Sequence, residues 1–456
     1  MKKIHVIGGG LAGPEAALQA ASLGCDVMLS EMRPVQTTEA HQTSDFAELV
    51  CSNSLKSESE NTAPWLLKQE MRRAGSFLLQ AADASAVPAG HALAVDRIEF
   101  SRHVAKLIEA HPKIEVRREE VSFLNENDPD TITVLATGPL TSSSLAAELQ
   151  RLTGVEHLAF YDSISPIVDA STIDMDKVYF AARWDKGTAD YINCPFTKEE
   201  YEAFLGALTS AETIQAKSWD ALPEDGLATA APAKMNYFEG CLPIEETARR
   251  GRDTLRFGPM KPAGLTNPRT GRWPYAAVQL RQENLRADSY NLVGFQNHLK
   301  FGEQARVLRM IPGLEHAIFM RYGQIHRNTY IHAPSLLTET LQLRAHPSIL
   351  IAGQLSGVEG YTESIASGLL AGRYAAALAR GDQPTPAPRI TGNGSLIHYI
   401  THAEPKKFQP ANITFDLLLP LEEDLRKKIR DKKERHRIQC ERALDAWDAW
   451  LAASHP

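Results

Sequence analysis

Three glycines, Gly8, Gly10 and Gly13, set a G-x-G-x-x-G pattern at the start of the chain. The run Lys-Ile-His-Val-Ile at 3–7 predicts a buried strand before them, and small and apolar residues at 11–23 predict a helix after them. Asp-Val-Met-Leu-Ser at 26–30 predicts a second strand, ended by Glu31. In such a β-α-β unit the first glycine permits a tight turn and the second lets the backbone approach a pyrophosphate. The third lets the helix pack on the strand, so that the helix N-terminus faces the phosphates. Glu31 is the 18th residue after Gly13, the place for an acid that accepts from a ribose diol. The motif alone does not choose between dinucleotides, but its position at residue 8 of a 456-residue chain favours FAD over NAD.

Two later segments strengthen the flavin reading. A strand expected at 132–136 closes on Ala136-Thr137-Gly138, a run that commonly passes near the cofactor in flavoproteins with two dinucleotide folds. A strand expected at 348–352 leads into Gly353-Gln354, then Gly357-Val358-Glu359-Gly360-Tyr361, and a helical run to Arg380. A helix N-terminus there can stabilise negative charge on a reduced flavin. The expected cofactor-binding residues are therefore Gly8, Gly10, Gly13, Glu31, Gly138, Gly353, Gln354, Gly357, Val358, Glu359, Gly360 and Tyr361.

The stretch 166–325 has another texture, rich in Pro, Trp, Tyr and Arg, with short strand-like runs between loops. The expected class is α/β. Residues 1–165 and 326–456 form a discontinuous Rossmann-like FAD-binding domain, and 166–325 an inserted α+β domain. Residues 381–390 are a Pro-rich connector, and 421–451 are helical with a basic run from Arg426 to Arg437. Charged residues make up 23% and hydrophobic residues 43%, which excludes wholesale disorder. The formal charge of −7 does not advertise nucleic-acid binding, though it does not exclude a local basic patch. No membrane span or signal segment is expected, so the expected location is cytoplasmic.

Five cysteines without CxxC spacing fit neither a disulfide framework nor a zinc site, and no metal is expected. Cys51 lies in the polar loop Ser-Asp-Phe-Ala-Glu-Leu-Val-Cys-Ser-Asn-Ser-Leu-Lys-Ser (44–57), where a thiol near a flavin can act as base or nucleophile. Cys241, in Asn-Tyr-Phe-Glu-Gly-Cys-Leu-Pro, sits at a turn beside Gly240 and Pro243. Cys194, in Asn-Cys-Pro-Phe, is a weaker candidate. For each, a small buried hydrophobe is the competing reading.

The segments GGGLAGPEAA, ELVCSNSLKS, NCPF, YFEGCLPIE, GPMKPAGL, VQLRQEN, AGQLSGVEGYTES and FQPANITFDLLLP together resemble one family, from residue 1 to about 415. It is the folate- and FAD-dependent tRNA uracil-5-methyltransferases, known as TrmFO. The resemblance implies transfer of a carbon from 5,10-methylenetetrahydrofolate to uridine C5, with NADPH or NADH as reductant. The T-loop uridine of tRNA is the implied target, and a ribosomal RNA uridine the variant reading. It implies that Cys241 adds to uridine C6 and that Cys51 removes the C5 proton near the flavin. Two other readings remain at this point: a flavin oxidoreductase acting on a small molecule, and a non-catalytic, FAD-stabilised RNA-binding module.

Overall fold

The computed structural model describes residues 1–38, 40–154, 158–214 and 242–454. The expected β-α-β unit is present as β1 (Lys3–Ile7), α1 (Ala12–Ser22) and β2 (Val27–Glu31). It forms the centre of a five-stranded sheet ordered Ile349–Ile351, Thr131–Leu135, β1, β2, Ile114–Arg118. All four pairings are parallel, with Ile7 opposite Leu135 on one side and Ser30 on the other. Ile4, Val6 and Leu29 are fully buried, as strands covered on both faces must be. The edge strand Ile114–Arg118 reads Ile-Glu-Val-Arg-Arg, and its charged alternation hid it from a search for apolar runs.

The long helix Tyr361–Arg380 packs against α1 at very short range. A Cβ on Gly368 would stand 2.3 Å from the Ala12 carbonyl oxygen, and one on Gly372 would stand 2.4 Å from that of Ala16. The facing residues are the smallest available, so the two backbones nearly touch. This contact joins the start of the chain to its last third.

A second hydrophobic core includes Val168, Ile192, Cys194, Phe196, Phe204, Val278, Leu292, Phe295 and Leu308. It lies against a six-stranded antiparallel sheet ordered Tyr179–Phe180, Ile192–Phe196, Ala276–Gln282, Ser289–Leu292, Ile167–Asp169, Phe319–Arg321. An antiparallel ribbon, Leu158–Ser163 with Ile325–Tyr330, lies where the chain passes between the two sheets. The helix Lys198–Ser210 opens on a full capping box from Thr197 and Glu200.

The C-terminal segment forms helices Glu423–Lys428 and Lys432–Ser454. Trp447 is fully buried, and its indole N–H donates to the Glu70 carbonyl at 2.6 Å. Part of the basic run is paired within its own helices, Lys427 with Glu423 at 2.8 Å and Arg437 with Glu434 at 2.7 Å. Among the described residues no helix is long and apolar enough to cross a membrane.

Gly372→Val would drive a branched side chain into the α1 backbone. The expected cost is about 1–3 kcal/mol, as for other overpacked contacts, read as a lower midpoint in denaturant. An unchanged midpoint would mean that the two helices are free to part.

Glu70 gives a pH-dependent prediction. Burial pushes its carboxyl up to about 7, against three hydrogen bonds from the Gly392 amide, the Asn393 amide and Asn393 Nδ2. Between the ordinary 4.5 and about 7 the folded state holds a proton that the unfolded chain has released. That contribution is complete below the unfolded value and is lost as pH rises through the folded one. Glu70→Gln removes the titration. Its unfolding free energy should fall less steeply than wild type across this window, by up to about one proton. Parallel slopes would count against the assignment.

Candidate active site

One cleft with about 970 Å³ of empty space, its open mouth included, gathers residues from four separated stretches, 7–50, 119–121, 136–145 and 353–364. Gly8, Gly9 and Gly10 come from the β1–α1 turn, Glu31 from the end of β2, Gly138 from the turn after Thr131–Leu135, and Gly353, Gln354 and Tyr361 from the late segment. Seven of the residues expected at a cofactor thus line one cleft. The other five do not line it. A Cβ on Gly13 would stand 1.8 Å from the Gly8 carbonyl oxygen, so this residue sets the helix on the strand. Gly357 packs on Phe408, and Val358 is fully buried and bridged to Ala411. Glu359 takes a hydrogen bond from Gln354 Nε2 at 2.7 Å, and Gly360 caps the long helix.

The donor set fits a dinucleotide. A Cβ on Gly10 would meet nothing within 4 Å, so the backbone at this point borders open space where a pyrophosphate can approach. Neither α1 nor the long helix has a side chain capping its N-terminus, so their first amides have no side-chain acceptor there. Glu31 Oε2 accepts from the Gly9 amide at 2.5 Å, and Oε1 accepts from the Arg33 amide at 2.9 Å and Arg33 Nε at 2.7 Å. A carboxylate offers about four acceptor positions, so one remains for a ribose hydroxyl. Burial works to raise the pKa of Glu31. The Arg33 guanidinium and the two amides outweigh it and hold the carboxyl below the usual range, so the group stays an acceptor.

Arg33 also reaches Glu48 at 3.1 Å and the Asp45 carbonyl at 3.0 Å, which ties the ribose-binding acid to the loop that carries Cys51. Val50 lines the cleft, and Cys51, the next residue in the chain, does not. The Tyr361 hydroxyl accepts from the Cys51 amide at 2.7 Å and the Ser52 amide at 3.1 Å. Burial, then the neighbouring Cys51, push the Tyr361 phenol far up, so it remains protonated. Arg97 Nη1 donates to the Leu49 carbonyl at 2.5 Å, and its Nε pairs with Glu283 at 2.6 Å. Arg97 and Arg321 both lie within electrostatic reach of Cys51.

The six-stranded antiparallel sheet grips the far end of this loop. Arg281 donates to Ser52 Oγ at 2.8 Å and to Asn53 Oδ1 at 3.0 Å. Asn53 Nδ2 in turn donates to the Gln282 carbonyl at 3.0 Å. These are residues of the VQLRQEN segment, so two of the resembling motifs meet here. The FQPANITF segment also has a place: the Glu359 amide bonds the Ala411 carbonyl, and the Ile413 amide bonds Glu363. Arg33, Arg97 and Arg321 were not among the expected site residues. Isolated arginines carry no spacing signal, and only the fold brings them to the loop.

Cys194 faces the second core, and burial pushes its thiol far above the ordinary range, which removes it as a nucleophile. Cys25 and Cys440 are buried as well. Cys241 lies outside the described residues. Glu339, His398 and His402 are the one group of metal-ligand types close together among the described residues, and they do not line the cleft.

Comparison with known proteins agrees with this arrangement. The family described as Glucose inhibited division protein A matches residues 3–383. A Koribacter versatilis protein, "Methylenetetrahydrofolate--tRNA-(uracil-5-)-methyltransferase TrmFO", is 66% identical over 99% of this chain and 98% of its own. A Solibacter usitatus protein of the same name is 60% identical over 99% of each. Among solved structures, Aquifex aeolicus GidA superposes with a TM-score of 0.67 at 16% identity, covering 99% of this chain and 74% of that one. That likeness supports the fold. With glycine cleft, acid and cysteine loop assembled as above, and with relatives this similar along the whole length, the chain belongs to the TrmFO family within the wider GidA group.

Proposed function

We infer that this chain is an enzyme that methylates C5 of a uridine in tRNA, using FAD, 5,10-methylenetetrahydrofolate and NAD(P)H. The observation that carries the reading is the whole-length identity of 66% to a protein named for that reaction. We place the target at the T-loop uridine and the enzyme in the cytoplasm. We take 166–325 as the inserted domain and the flanking parts as the FAD-binding one. A flavin oxidoreductase on small molecules or a non-catalytic module is not favoured.

Gly10 and the N-terminus of α1 would hold the FAD pyrophosphate, Glu31 its adenosine ribose, and Gly353, Gln354 and Tyr361 the flavin end. When bound, FAD supplies the reducing equivalents that turn the transferred one-carbon unit into a methyl group. The remaining work falls to protein groups. Uracil C5 is a weak nucleophile. Addition of the Cys241 thiolate to C6 moves the C5–C6 π pair into an enolate with carbanion character at C5, which can then attack the folate carbon. The C5 proton must leave before the sulfur can depart, and Cys51 takes it. That step needs a thiolate at Cys51. Arg97 and Arg321 favour that form, as cations beside a thiol do. Tyr361 fixes the backbone that presents the thiol.

Two experiments test this reading. Gly10→Val puts a branched side chain where the pyrophosphate must approach, and the purified variant should lose most of its flavin absorbance. Full flavin content in that variant would overturn the cleft assignment. A tRNA carrying 5-fluorouridine should trap a covalent complex, since fluorine cannot leave as a proton does. Cys241→Ala should abolish the complex, whereas Cys51→Ala should still trap RNA without turnover. The opposite pattern would exchange the two roles, and activity in both variants would make neither thiol catalytic.

A further inference from the structure

Trp184 and Trp273 are 58% and 48% exposed, yet their rings meet edge to face with centroids 5.0 Å apart and planes at 85°. The backbone under Trp184 is strained. It lies at φ 60°, ψ 26°, and the next residue, Asp185, at φ 51°. Two successive residues with a Cβ seldom occupy the left-handed region, and such strain persists only where the surroundings enforce it.

The enforcement is visible. The Trp184 amide donates to the Gly264 carbonyl at 2.7 Å. Arg183 Nη1 donates to the Ala263 carbonyl at 2.8 Å and Nη2 to Gln279 Oε1 at 2.9 Å. A Cβ on Gly264 would stand 2.8 Å from three atoms of the Trp184 indole, so the ring lies across a position where only glycine leaves room. The GPMKPAGL segment thus backs one side of an indole whose remaining surface faces solvent.

The location is specific. Gln279, which anchors this turn, and Arg281, which grips Ser52 and Asn53, belong to one strand, Ala276–Gln282. Two residues apart, they share a face, about 7 Å from each other. The turn that carries Trp184 therefore docks, through Arg183, on the same strand face that holds the Cys51 loop. Lys186 lies two residues from Trp184, Arg272 directly precedes Trp273, and Lys261 belongs to the segment that backs the Trp184 ring; all three are exposed and enter no ion pair among the described residues. This is a local cationic surface on a protein of net charge −7.

We propose that Trp184 and Trp273 form a stacking platform for an unpaired base of the RNA substrate beside the entry to the Cys51 loop, with Lys186, Lys261 and Arg272 facing its phosphates. This rests on the reading of the chain as a tRNA-modifying enzyme. Every base offers a π face, and exposed aromatic rings interleaved with cations are what a single-stranded nucleotide binds. The folate carbon needs a site that excludes water, and half-solvated indoles do not provide one.

The test uses the FAD-loaded enzyme with Trp184→Ala, Trp273→Ala, Trp184→Phe and Arg272→Glu. Both alanine variants should weaken tRNA binding and raise the KM for tRNA by roughly ten-fold, with kcat, flavin content and the KM for folate near wild type. Trp184→Phe, which keeps an aromatic face, should restore most of the affinity. Arg272→Glu should reduce the salt dependence of binding by about one phosphate contact. If Trp184→Ala loses its flavin, Trp273→Ala and Arg272→Glu carry the test. Unchanged tRNA affinity in Trp273→Ala and an unchanged salt slope in Arg272→Glu would overturn the platform. A raised KM for folate with tRNA binding intact would overturn it too, assigning the indoles to the co-substrate. Wild-type enzyme that leaves tRNA unmethylated would instead refute the functional reading itself.

Discussion

The cleft exists because two helix backbones can almost touch. Its walls come from residues 7–50, 119–121, 136–145 and 353–364, and the first and last of these are held together by α1 and Tyr361–Arg380. Ala12 and Ala16 on one helix face Gly368 and Gly372 on the other, with no room for a single methyl group more. A larger residue at any of the four positions would separate the helices. The glycine turn that approaches the pyrophosphate would then no longer face Gly353 and Tyr361. The dinucleotide motif therefore depends on a helix more than 350 residues away.

A second constraint orients the antiparallel sheet on the Cys51 loop, and it is polar throughout. Asn53 is fully buried, donating to the Val95 and Gln282 carbonyls and accepting from Arg281 and Asn291. Beside it, Glu283 pairs with Arg97 at 2.6 Å and also accepts from Asn291. Desolvating such groups offsets much of their attraction, so a network of this kind is a poor source of net stability. What it supplies is direction. An apolar interface tolerates small slides, whereas these bonds are satisfied in one registry only. Removing a single partner would leave a buried charge or amide without its complement, which is why the angle between sheet and loop is well determined.

The parallel sheet was legible because its signals are local. Glycines at fixed spacing, apolar runs at 3–7 and 26–30, and Glu31 at the strand end each have one physical reading, and the structure follows them within a residue or so. The Rossmann edge strand at Ile114–Arg118 was not legible, since an edge exposed to water alternates charge with apolar residues and resembles a loop. The site was legible in part. Gly8, Gly10, Glu31, Gly138, Gly353, Gln354 and Tyr361 line one cleft, whereas Gly357–Gly360, beside the last three in the chain, do not line it. The arginines around Cys51 come from positions 33, 97 and 321, and no spacing in the chain connects them. Only folding brings such residues together.

Net charge is the wrong quantity by which to judge this site. A formal −7 says nothing about the field at one sulfur atom. Arg97 has a carboxylate partner, but Arg321 has none among the described residues. Its Nη2 donates to the Ala40 carbonyl at 3.2 Å, and its buried Nε finds no acceptor. Burial, and then repulsion from Arg97, lower its pKa, which is to say that the folded protein holds this cation at a cost. A buried guanidinium is costly unless an anion offsets it, and Tyr361, Glu48 and Cys51 are the neighbours that can. Tyr361 stays neutral, and Glu48 already accepts from Arg33. Two buried or half-buried arginines, Arg97 and Arg321, thus stand within electrostatic reach of the loop that carries Cys51, a local positive field that the net charge of the chain conceals.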